Sequence, residues 1–94
     1  MYIIDVDCPP DVADKLITKH RGTVDEVEEV FQNNPHYYFV ETGYRRGEDV
    51  YSASGRTDAG RYLIVLFIRK LTNVALIVSA RDMNRMERRR YERS

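Results

Sequence analysis

Arg61-Tyr62-Leu63-Ile64-Val65-Leu66-Phe67-Ile68-Arg69 is the stretch on which the fold turns. Seven apolar or aromatic residues run without interruption between two arginines. Such a run is short for a helix, and its β-branched and aromatic content favours a strand. Apolar side chains on both faces place it at the centre of a sheet, with helices covering at least one side. The chain reads outward from there. Thr57-Asp58-Ala59-Gly60 has hairpin-turn chemistry, and residues 50–54 beyond it form a second strand. Residues 70–73 turn the chain into another buried-looking strand at 74–79. Upstream, residues 37–41 read as a strand and 43–47 as a turn. Connections this short make such strands antiparallel neighbours.

The first third changes period. Residues 2–6 suit an opening strand, ended by Cys8-Pro9-Pro10. Asp11 is the expected N-cap of a helix to His20, with Val12, Lys15, Leu16 and Lys19 at helical spacing. Gly22 suits the left-handed residue after that helix. Thr23 and Glu26 form a capping box for a second helix, in which Val24, Val27, Val30 and Phe31 repeat on one face. Asp25, Glu26, Glu28 and Glu29 take its other face, as a solvated surface. Asn33-Asn34-Pro35 stops it. Asn84 with Glu87 starts a last helix through Arg93. The expected fold is α+β: an antiparallel sheet of four to five strands, two N-terminal helices and one C-terminal helix, in a single domain over residues 1–94.

Composition bounds the function classes. Of 94 residues, 43% are hydrophobic and 32% charged, an ordinary globular balance. Cys8 is the only cysteine, which excludes an internal disulfide or a Cys-rich zinc site. The longest apolar run falls far short of the roughly 18 residues of a membrane span. Acids at Asp5 and Asp7 stand where a secretory signal carries bases, so a cytoplasmic protein is expected. Fifteen basic residues balance fifteen acids, but unevenly. Residues 1–34 hold eight acids and three bases; residues 81–94 hold six arginines and three acids. A partner feels the local field, so neutrality does not exclude RNA.

No phosphate loop, metal-ligand spacing or nucleophile elbow is present, and neither a cofactor nor a metal is expected. Cys8 reads as a packed small residue. Lys19-His20 ends the first helix, where cations offset its dipole; the same pair can move protons or bind phosphate. His36 reads as a surface loop residue. Arg56 lies at a hairpin mouth. Arg81 lies at a strand-to-helix junction, where a guanidinium can clamp a carboxylate or phosphate bidentately. Glu87 and Tyr91 share one helix face at i, i+4. Arg88-Arg89-Arg90 suits a solvated basic tail as well as phosphate contact.

These residues resemble a known family. Lys19-His20, Val24-x-Glu26-Val27-x-x-Val30-Phe31 and Asn34-Pro35 are similar to the opening of BrnT-type toxins. Tyr51-x-x-x-Gly55-Arg56-Thr57-x-x-Gly60-Arg61-x-Leu63-x-Val65 resembles their central block. Ser79-Ala80-Arg81 followed by Glu87-Arg88-Arg89-Arg90-Tyr91 resembles their C-terminal signature. The resemblance implies a RelE-like fold and a metal-independent endoribonuclease, neutralised by a BrnA-like ribbon-helix-helix antitoxin. It implies catalysis by 2′-OH attack, with His20 or Glu87 handling the proton. Lys19, Arg56 and Arg81 would stabilise the phosphate, and Tyr91 would pack nearby. Val50 and Ala75 stand where the family commonly has arginines. That keeps open the alternative of a non-catalytic, toxin-like module that binds an antitoxin or RNA. The acidic helix at 24–32 or an open sheet edge is the expected antitoxin-docking surface.

Overall fold

A computed structural model describes residues 1–93, with His20 described by its backbone alone. The element order is β1 (Asp5–Asp7), α1 (Pro10–His20), α2 (Val24–Gln32), β2 (His36–Glu41), β3 (Val50–Arg56), β4 (Tyr62–Arg69), β5 (Val74–Asp82) and α3 (Arg85–Arg93). The sheet order β1-β5-β4-β3-β2 puts β4 in the middle, as its two apolar faces require. Strands β2 to β5 form an antiparallel meander, and β1 adds to β5 in parallel. Helices α1 and α2 carry the chain from one edge strand to the other across one face of the sheet.

That face holds the core. Leu63, Val65 and Phe67 of β4 are buried against Ala53, Ala75, Ile77 and Ala80 of the flanking strands. Val12 and Leu16 of α1 and Val27 and Val30 of α2 complete the cluster. Phe31, Tyr37 and Tyr51 close around Phe67, with ring centroids 5.2, 6.0 and 6.1 Å from its ring. Tyr62, Ile64, Leu66 and Ile68 point to the other face and are only half-buried. No described helix is long and apolar enough to cross a membrane.

Several local expectations need correction. Pro9, not Asp11, is the N-cap of α1; Pro10 occupies the first helical turn, and Asp11 follows it there. Arg21, not Gly22, takes the left-handed conformation (φ 51°), while the Gly22 N–H closes the turn on the Leu16 carbonyl at 2.8 Å. The Thr23–Glu26 capping box forms as read. Strand β1 is shorter and later than residues 2–6: Tyr2 and Ile4 remain exposed, Ile3 packs against the core ahead of the strand, and within the strand Val6 turns inward. Strand β5 runs on to Asp82, past the polar Ser79. A bulge at Val78 restores its register, so that Ala80 and Arg81 still pair with Val65 and Ile64.

The core position of Leu16 and the exposure of its neighbour Ile17, 60% accessible, generate a paired expectation. Leu16→Ala should lower unfolding free energy by about 2–5 kcal/mol in a urea titration, and Ile17→Ala by no more than about 0.5. Equal losses would contradict this placement of α1.

Candidate functional site

The second face of the sheet carries three polar rows set by strand register. His36, Ser54, Ile64 and Arg81 lie side by side, as do Tyr38, Ser52, Leu66 and Ser79, while Arg56 is opposite Tyr62. Helix α3 lies over part of this face. It contributes no fully buried side chain, so apolar burial alone does not hold it there. Its first turn is held by reciprocal bonds. The Asn84 N–H donates to Glu87 Oε1 and the Glu87 N–H donates to Asn84 Oδ1, each at 2.8 Å.

Arg81 completes the attachment. Its Nη1 and Nη2 donate to the two Glu87 carboxylate oxygens at 2.7 Å each, a bidentate pair. This hydrogen bonding outweighs burial and, with the Asn84 N–H, brings the Glu87 pKa from 4.5 to about 2. The Arg81 guanidinium is shifted the other way, further into its charged range. A carboxylate with both oxygens on Arg81 that gives up its proton near pH 2 is a holding group rather than a base near neutrality.

Aromatic contacts extend the attachment along α3. The Tyr91 ring lies 4.8 Å from His36 and meets Tyr62 edge-on at 5.8 Å. Guanidiniums stack on this layer. Arg88 and Arg56 lie 4.0 and 4.7 Å from the Tyr62 centroid, and Arg90 lies 4.1 Å from that of Tyr38. Between α3 and the sheet is a cleft of about 390 Å³, lined by Tyr38, Ser52, Ser54, Glu87, Arg90 and Tyr91 among others. Its lining mixes rings, hydroxyls and the apolar Phe39 and Val40 with the single guanidinium of Arg90 and the Glu87 carboxylate.

Four of the six expected residues, Arg56, Arg81, Glu87 and Tyr91, gather on this face. Lys19 is exposed near the end of α1, in the helical layer on the opposite side of the sheet. The side chain of His20 lies outside the described residues. The end of α1 is nevertheless tied towards the cluster. Arg61 Nη1 donates to the Arg21 carbonyl at 2.9 Å, and Arg61 Nε donates to Asp82 beside Arg81 at 2.7 Å. His36 is not the loop residue expected: it opens β2 under Tyr91, and its Nδ1 is buried without a partner.

Tyr62 and His36 were missed as site residues. The available signal was parity along the strands, since Tyr62 shares the face of Ile64 and His36 the face of Tyr38. The Cys8 thiol is pushed up by burial and by Asp7, Asp11 and Glu28, which suits packing and not attack. Val50 and Ala75 lie towards the other end of their strands, opposite Ile68 and Val6, so an arginine missing there leaves the cluster intact.

Residues 10–87 match the family model of the ribonuclease toxin BrnT of type II toxin-antitoxin systems. Among solved structures, that of the Brucella abortus ribonuclease toxin BrnT is similar with a TM-score of 0.60 at 14% identity. The likeness covers 87% of this chain and 99% of that one, and it speaks for the fold. No curated protein matches the sequence.

The Glu87 shift has a definite pH signature. A carboxylate whose folded-state pKa is depressed adds stability above its ordinary value of 4.5, and loses it as pH falls through about 2. The thermal midpoint of the wild type should therefore exceed that of Glu87→Gln by a constant margin near neutrality. That margin should close between pH 4.5 and pH 2. A margin unchanged at the acid end would contradict the ion pair.

Proposed function

The chain belongs to the BrnT family of ribonuclease toxins of type II toxin-antitoxin systems, and from that premise we propose a metal-independent endoribonuclease whose reaction centre is the Arg81–α3 face. Family membership implies an RNA target and an antitoxin partner. The reaction proposed is attack of a ribose 2′-oxygen on the adjacent phosphorus. The O2′–P bond forms, the P–O5′ bond breaks, and a 2′,3′-cyclic phosphate and a 5′-hydroxyl result. Such a path needs cations for the charged phosphorane, a base for the 2′-OH and a proton for the leaving oxygen.

The observation that carries this reading is that Arg81, held bidentately by Glu87, shares a sheet face with Arg56 and Tyr91, which both meet the Tyr62 ring. In it, Arg81 and Arg56 stabilise the phosphate and Tyr91 packs beside them. Glu87 fixes the Arg81 guanidinium in place. Lys19 adds charge from the end of α1, and His20 handles the proton. Arg61 joins the end of α1 to Asp82, the residue after Arg81, on the helical face of the sheet. The antitoxin in this reading is a BrnA-like ribbon-helix-helix protein that denies RNA access to the arginine face.

The docking surface expected on α2 is partly committed within the fold: Glu26 pairs with Arg61, and Glu29 accepts from the Asp58 N–H. The open edge of β2 therefore suits antitoxin pairing better, since β2 is bonded to β3 alone and exposes Phe39 and Val40.

Arg81→Ala should cut RNA cleavage by at least about 10²-fold, the scale of losing one transition-state donor, in a variant whose circular dichroism still shows the folded sheet. A folded Arg81→Ala protein with undiminished cleavage would sink the assignment.

A further inference from the structure

Tyr62 lies outside every role assigned above, yet two guanidiniums and a second aromatic ring meet on its ring. Arg88 and Arg56 lie 4.0 and 4.7 Å from its centroid, and Tyr91 meets it edge-on at 5.8 Å. Two guanidiniums on one ring repel each other. The electron-rich ring faces attract both, and an anion held by the pair would relieve the remaining repulsion. No carboxylate among the described residues pairs with Arg56. Arg88 has Glu92 at 3.1 Å in an exposed i, i+4 pair that a phosphate can displace.

The backbone leaves room for this arrangement. At Gly60, with φ at +92°, an added Cβ would lie 3.1 Å from Arg56 Nη2, so a side chain there would be strained by the backbone and would crowd the guanidinium. Tyr62 is also two residues along β4 from Ile64, which pairs with Arg81. The ring therefore lies on the same face as the Arg81 clamp, at the end of the strand.

We propose that Tyr62 is a positioning residue that holds Arg56 and Arg88 as a paired phosphate subsite, extending the RNA track past Arg81. The proposal rests on the ribonuclease reading and adds Arg88 and Tyr62 to it. A backbone phosphate seated on this pair fixes the strand without reading its sequence.

The test uses a single-stranded 2′-O-methyl oligonucleotide of mixed sequence, which cannot undergo 2′-OH attack, so binding is measured apart from cleavage. Tyr62→Leu should weaken binding about tenfold or more and reduce the slope of log affinity against log salt by about one or two phosphate contacts. Tyr62→Phe, which keeps the ring, should restore both. With unmodified RNA, Tyr62→Leu should raise KM more than it lowers kcat. A folded Tyr62→Leu protein with wild-type affinity and slope overturns the proposal, as does a Tyr62→Phe protein as weak as Tyr62→Leu. Should Tyr62→Leu fail to fold, Arg88→Gln decides: a slope lowered by about one supports the subsite, and an unchanged slope overturns it. Wild-type protein that binds the oligonucleotide but never cleaves unmodified RNA would sink the ribonuclease reading and leave the subsite supported.

Discussion

Two hydrogen bonds of 2.7 Å between Arg81 and Glu87 tie helix α3 to the end of β5. Helix α3 brings no fully buried side chain to the sheet, so it lacks the burial that fixes α1 and α2. What it has is one bidentate ion pair, a reciprocal cap at Asn84 and a layer of stacked rings and guanidiniums. Exposed ion pairs are individually worth about 0–1 kcal/mol. The double geometry of this one, together with the cap, makes it the fixed point from which Arg88, Arg90 and Tyr91 are aimed. Without it, little would fix the arginines of α3 against the sheet.

Strand alternation extends that dependence to the other side of the sheet. Asp82 follows Arg81 in β5 and receives Arg61 Nε at 2.7 Å. The same guanidinium reaches Glu26 on α2 at 3.2 Å and the Arg21 carbonyl at the end of α1 at 2.9 Å. Adjacent residues of one strand thus connect α3 on one face and both N-terminal helices on the other. The acidic front of the chain is joined to the end of β5 through Arg61, which pairs with both Glu26 and Asp82. The rest of the arginine excess stays on the α3 face, where a polyanion can use it.

Much of the fold was legible because it rests on local chemistry. The apolar run in β4, the Thr23–Glu26 box and the Thr57–Gly60 turn each act within a few residues, and all appear where the sequence puts them. The end of β5 was not legible. Ser79 and Arg81 look like a terminus, and only pairing with β4 through a bulge keeps them in the sheet. The site was half legible for the same reason. Arg81, Glu87 and Tyr91 belong to one junction and its helix, and Arg56 to a hairpin mouth. Strand parity puts Tyr62 and His36 on that face, but their meeting with Tyr91 depends on where α3 lies over the sheet, which sequence spacing does not encode.

The central claim is that guanidiniums, and no required metal ion, carry the charge of a reaction begun by the 2′-oxygen. Sequencing the ends of RNA fragments made by the purified wild-type protein in excess EDTA tests it most directly. The account predicts 2′,3′-cyclic phosphate on the upstream fragment and 5′-hydroxyl on the downstream one. Fragments ending in 3′-hydroxyl and 5′-phosphate, or cleavage that appears only when a divalent cation is restored, would contradict it.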